Sequence, residues 1–206
     1  GVVAVDIGGM KFDEADRSQS QFNPLLAKAG QGSPSNPIKL AEMGDPNGLN
    51  HAAFPFLSKS TGNFYIVGGD ETFPWGVMAT QGKPSNPRGG FHFLNFTDPD
   101  NPKEDAVYQV PEAGSHNMWV YDDVLMAAFY QGGLRIVDIS GELLGDIYSQ
   151  GREIAVYQSA HKEGKIPNAT MVWGAQPYKD YIFFADMNSG LYCIQLEDLE
   201  KGSGAP

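Results

Sequence analysis

"GGLRIVDIS" (Gly132–Ser140) has the form of a β-strand, with glycine at its head and an aspartate near its exit. The phrase is not used once. Aligned on Gly133, "GVVAVDI" begins at Gly1, "GFHFLNFT" at Gly90 and "GLYCIQLE" at Gly190. Each copy opens on glycine and alternates its side chains. Asp6, Asn95, Asp138 or Gln195 stands at the sixth position. Glycine permits a tight turn into the strand. The Asp or Asn at its end is placed to accept backbone amides of the turn that follows.

The surroundings repeat as well. Before each of the last three copies lies an apolar run: "NFYIVGGD", "DVLMAAFYQ" and "DYIFFADMNS". Before each of those lies another: "HAAFPFL", "HNMWVY" and "VWGAQPY". Segments led by proline or glycine carry an outermost strand: "NPIKLAEM", "NPKEDAVYQV" and "GDIYSQGREIAVYQ". The unit is four short strands, a to d, in a period of roughly 40–50 residues, which is the signature of a β-propeller blade. The chain begins and ends on a c strand. The expected fold is therefore all-β, a propeller of four-stranded antiparallel blades, with about three and a half blades present. Residues 1–206 read as a single propeller, the C-terminal part of a larger ring, with insertions at 8–33, 70–89 and 159–170.

Composition agrees with many short strands. Gly and Pro number 25 and 14, aromatics reach 12%, and no window has a helical apolar period beyond a short stretch near Pro24–Ala29. The net charge of −11, with no Lys/Arg cluster, argues against nucleic acid and anionic membranes as partners. No apolar run is long enough to span a bilayer. The single cysteine, Cys193, excludes an internal disulfide and a Cys-based zinc site. The chain starts inside an apolar run without an initiator Met or a signal peptide. The expectation is a removed leader or a piece of a longer chain.

These motifs resemble the LVIVD-repeat β-propeller family of bacterial, mostly exported proteins. The matching stretches are "GVVAVDI", "GLRIVDIS" with "GELLGDIYSQGREIA", "SHNMWV" and "VWGAQPYKDYIFFADMNSGLYCIQL". The resemblance implies a propeller and an extracytoplasmic location: periplasm, cell surface or secreted. It implies no common activity. The insertions and Asn95 depart from the repeat.

In a propeller the b-to-c and d-to-a loops share one face. Trp75 and His161, on the 70–89 and 159–170 insertions, fall there. His51 and His116 begin successive a strands beside the central channel, and Trp173 takes the same place in the next blade. Two imidazoles at a channel mouth suit a transition metal, and Asp70 and Asp186, at b-strand ends, are candidates to join them. Seven-bladed selenium-binding-type methanethiol oxidases offer a distant analogy of fold. The plainer reading gives each histidine a hydrogen bond to a neighbouring blade's backbone. "DMNSG" (186–190) and "DPDNP" (98–102) space oxygen ligands as calcium loops do, yet lack the full pattern, and turn chemistry explains them. "NFT" (95–97) and "NAT" (168–170) fit a glycosylation sequon. Hydrolase, metalloprotease, P-loop and dinucleotide fingerprints are missing from the sequence.

The leading expectation is a non-enzymatic, extracytoplasmic propeller without a cofactor. It serves as a protein-binding or scaffold module, or as a subunit of an envelope or surface assembly. Its partner is protein, whether the missing part of the ring or another subunit. The alternative is a metal-dependent enzyme centred on His51 and His116. Terminal blades with open faces expose apolar area and strand edges. Residues 1–206 expressed alone should then aggregate or stay unfolded. A cooperative thermal transition from a monomer at micromolar concentration would show instead that the segment closes on itself.

Overall fold

Within each sheet most strands pair with the strand before them in the chain. The computed structural model describes residues 1–8, 24–44, 50–71, 89–111 and 113–196. Trp75, and with it most of the 70–89 insertion and part of 8–33, lies outside them. Four antiparallel sheets follow in chain order. The first pairs β1 (Val2–Asp6) with β2 (Ile38–Met43). The second runs through β3 (Asn50–Leu57), β4 (Phe64–Asp70), β5 (Phe91–Asn95) and β6 (Lys103–Tyr108). The third contains β7 (Met118–Tyr121), β8 (Val124–Phe129), β9 (Gly133–Asp138) and β11 (Glu153–Tyr157). The fourth contains β12 (Val172–Tyr178), β13 (Tyr181–Asp186) and β14 (Gly190–Ile194). A short 3-10 turn at Pro24–Lys28 is the helical stretch among the described residues.

One expected strand is divided. "GDIYSQGREIAVYQ" reads as a single outer strand in the sequence. Its first part, β10 (Gly145–Asp146), instead joins the second sheet, parallel to β6. Leu143 and Ile147 explain this. Both are buried in the core between the second and third sheets, so the segment is drawn across before the chain turns back into β11. The second sheet thus has five strands, where the blade pattern expects four.

The period-2 alternation of a strand sends successive side chains to opposite faces. In β4, Phe64 and Ile66 enter the core shared with the first sheet, while Tyr65 and Val67 enter the core shared with the third. In β8, Leu125, Ala127 and Phe129 face the second sheet, and Met126 and Ala128 face the fourth. The sheets therefore stack in series across three cores. The outer faces of the series are different. Val3, Val5 and Ile7 on the first sheet are 53%, 45% and 59% exposed. Tyr181, Phe183 and Leu191 on the last are exposed as well.

The repeated glycine has a local cause. A Cβ on Gly90 would meet the Tyr108 carbonyl oxygen at 2.8 Å, and one on Gly133 would meet that of Tyr157 at 2.3 Å. Tyr108 and Tyr157 end the outer strands β6 and β11. The glycine lets the outer strand close on the head of the c strand. Among the described residues no outer strand pairs with the fourth sheet, and a Cβ on Gly190 would meet nothing within 4 Å. Gly133 and Gly190 also have positive φ, 79° and 111°. Gly190→Ala should therefore cost about 1 kcal/mol of backbone strain. Gly133→Ala should cost about 2 kcal/mol more, because β11 must move. Urea denaturation of the two variants checks this, and equal losses would remove the close approach as the reason for the glycine.

Candidate functional site

Two β-bulges and one strand start bring three rings together. The pairing of β3 with β4 passes from Asn50–Asp70 to Ala52–Gly69, leaving His51 as the extra residue. The pairing of β12 with β13 passes from Val172–Asp186 to Gly174–Ala185, leaving Trp173 extra in the same way. A bulge re-aims the side chain it carries. His116 precedes β7, and its amide donates to the Ala128 carbonyl at 3.0 Å. The rings of His51 and His116 lie 4.4 Å apart between centroids, and those of His116 and Trp173 5.6 Å apart and nearly parallel.

Glu71, the first residue after β4, completes the cluster. One carboxylate oxygen is 3.2 Å from His51 Nδ1, and the other is 3.9 Å from His116 Nε2. The Tyr130 hydroxyl donates to Glu71 Oε1 at 2.5 Å. His116 Nδ1–H donates to the Trp173 carbonyl at 2.5 Å. In the neutral ring that bond fixes the tautomer and turns the Nε2 lone pair toward Glu71. One donor atom from each of His51, Glu71 and His116 fits within 4.8 Å of the others.

Electrostatics favour a neutral His116 and a neutral Tyr130. Burial holds His116 below the usual histidine range. The Trp173 carbonyl opposes the shift, neighbouring His51 adds to it, and Glu71 opposes it. Burial, then the Glu71 carboxylate, pushes the Tyr130 phenol up, so it remains a donor. A groove of about 480 Å³ runs where β3, β7 and β12 converge, lined among others by Ala52, Phe54, Asn117, Trp119, Gly174 and Gln176. His51, His116 and Trp173 each directly precede one of those residues in the chain.

Of the residues picked from sequence, the structure brings together His51, His116 and Trp173. Neither Asp70 nor Asp186 belongs to the group of donor atoms at the cluster, and both side chains are buried. Asp70 is buried, with His92 Nε2 3.3 Å from its carboxylate. Asp186 is buried at the centre of a knot. It accepts from the Ser159 hydroxyl and from the amides of Met171, Asn188 and Ser189. Asn188 then ties down the 159–170 loop through Ile166 and Ala169. His161 is exposed on that loop, and its Nδ1 accepts the Glu163 amide at 3.1 Å. Glu71 and Tyr130 were not picked. The available signal was their register, since each directly follows a b strand.

The turn positions behave alike. Asp6, Asn95 and Asp138 each accept the amide two residues on, from Gly8, Thr97 and Ser140. Asp6 also accepts from Gly30, Gln31 and Gly32, which anchors the end of the 8–33 insertion. In "DPDNP", Asp98 accepts from the Asp100 amide and the Asn101 side chain. No protein-family model matches the chain, and no curated protein matches its sequence.

Asp186 yields a pH-dependent prediction. Burial raises its pKa, but the Ser159 hydroxyl and three amides outweigh that, and the carboxyl lies below its ordinary 3.8. The folded value is depressed, so its contribution is complete above the ordinary value and is lost as pH falls through the lowered one. Asp186→Asn should cost about 1–3 kcal/mol at neutral pH and flatten the acid limb of the stability curve. Denaturation midpoints measured from pH 7 to pH 3 test this. A variant as stable as the parent at pH 7 would show that the knot contributes nothing.

Proposed function

We propose that this chain forms blades of a β-propeller, with β3, β7 and β12 nearest the axis, and that the protein works outside the cytoplasm as a non-enzymatic binding module for another protein surface. The observation that carries the reading is the alternation on the terminal sheets. Val3 and Val5 of β1, with Ile7 just past it, are exposed, and so are Tyr181, Phe183 and Leu191 on the last sheet, where Phe183 and Leu191 also line the groove. The opposite faces of the same strands fill cores against neighbouring sheets. Apolar faces of this kind call for a cover of similar shape. The occupant that fits best is a further β-sheet stacked as the internal sheets stack. It belongs either to the same ring or to a partner subunit.

The succession of strands supports the propeller. Each of the last three sheets runs a-b-c outward in chain order, and the start of each a strand meets its counterparts at the His51–His116–Trp173 cluster. The extracytoplasmic setting rests on the resemblance to LVIVD-repeat proteins.

Val5→Asp in the full-length protein places a charge on the outward face of β1. If that face is covered, Tm should fall by at least about 4 °C, or the native mass should drop to that of a smaller species. Light scattering and calorimetry read both. An unchanged Tm and mass would mean that the face meets only water, and the binding reading would fall.

A further inference from the structure

We propose that His51, Glu71 and His116 bind one divalent first-row transition ion, with at least one coordination position open to solvent. The inference rests on the positions of three side chains and not on the propeller reading.

The argument begins with two acceptors facing each other. His116 Nδ1 carries a proton toward the Trp173 carbonyl, so in the neutral ring Nε2 presents a lone pair. The atom it faces, 3.9 Å away, is an oxygen of the Glu71 carboxylate. A separation of 3.9 Å is too long for a hydrogen bond. Two electron-rich atoms held in this way are reconciled by a cation between them. The second imidazole, on His51, approaches the other carboxylate oxygen at 3.2 Å. In a tetrahedral site with bonds of about 2.1 Å, donor atoms stand roughly 3.4 Å apart. The His51–Glu71 edge is therefore near its bound length, and since all three donors lie within 4.8 Å of one another, no edge must contract by more than about 1.4 Å.

The supporting groups are those a metal centre needs. A ligating histidine commonly donates its second N–H to a carbonyl, and a ligating carboxylate is itself hydrogen-bonded. His116 has the Trp173 carbonyl, and Glu71 has the Tyr130 hydroxyl. Two nitrogens and one oxygen suit zinc, cobalt, nickel or ferrous iron. Calcium and magnesium prefer oxygen-rich shells. His51 is exposed, whereas Glu71 and His116 are partly buried. The open position therefore looks outward, where water or a small anion completes the shell. Three protein ligands with an open fourth position is the arrangement of reactive rather than purely structural zinc.

The test uses the full-length protein, stripped with a chelator and titrated with Zn2+ by calorimetry and with Co2+ by visible absorption. One equivalent should bind with low-micromolar or tighter affinity, and Co2+ should show bands of a low-coordinate site without thiolate charge transfer. His51→Ala and Glu71→Gln should each weaken binding at least about tenfold. Glu42→Gln, a surface carboxylate on β2, should leave it unchanged. Tyr130→Phe should weaken it while leaving one equivalent. His51 is exposed, so its variant keeps the core, and circular dichroism verifies the fold of each variant. The proposal is overturned if the parent takes up no stoichiometric Zn2+ or Co2+. It is equally overturned if uptake survives both His51→Ala and Glu71→Gln, which would leave an acid–base cluster only. Neither result bears on the Val5→Asp outcome.

Discussion

Strands apolar on both faces need a neighbour on each side, and that need organises the chain. A hairpin or a single sheet would leave half of Phe64–Val67 or Leu125–Phe129 in water. Burial of apolar surface is worth roughly 25 cal/mol per Å², so an uncovered face forfeits several kcal/mol. Stacking sheets in series meets the need for the second and third sheets. Their cores hold fully buried rings: Tyr65, Phe91, Phe93, Tyr108 and Phe129 between one pair, Phe184 between the next. Polar side chains cross the same interface without breaking it. Tyr108 donates to Glu153, and the largely buried Arg135 pairs with that carboxylate at 2.9 Å while its Nε donates to the Gly132 carbonyl. Leaving one of these groups unpaired in such a setting is costly, so the link also fixes how the two sheets register.

The acidic balance has an inward use. Asp123 accepts from the amides of Lys59 and Ser60 and from the hydroxyls of Ser58 and Ser60, joining the turn after β7 to the turn after β3. Asp6 and Asp186 perform the same task at other loop crossings. Carboxylates that satisfy backbone amides are fixed parts of the scaffold. The net charge of −11 is therefore not a measure of one electronegative surface awaiting a basic partner.

The strand order was legible because the repeat is written in glycine and alternation. Gly90, Gly133 and Gly190 mark the c strands, and the apolar runs before them mark a and b. The crossing of Gly145–Asp146 to the neighbouring sheet was not legible. Nothing local in "GDIY" says that Leu143 and Ile147 belong to a core formed with another sheet. The positions of His51, His116 and Trp173 followed from their register within the repeat. The acid that joins them did not, since Glu71 reaches them from a strand end whose direction depends on the bulge at His51. Asp70 was the more conspicuous acid by register, but the β-strand alternation turns it inward toward His92.

The site and the stack are not independent. His51 belongs to the second sheet, with Glu71 just past its β4, and His116 stands just before the first strand of the third. Trp173, which fixes the His116 ring, belongs to the fourth. Any ligand that draws the three donors together pulls on the contact between β3 and β7, where the a strands meet beside the groove at the edge of the core that holds Phe56, Met118 and Val120. A ligand that binds only the assembled form stabilises it by mass action, about 2.7 kcal/mol at a hundred times its dissociation constant. The cluster is thus placed where a small ligand has leverage on the way successive sheets are held, while the aromatic cores farther out set the distance between them.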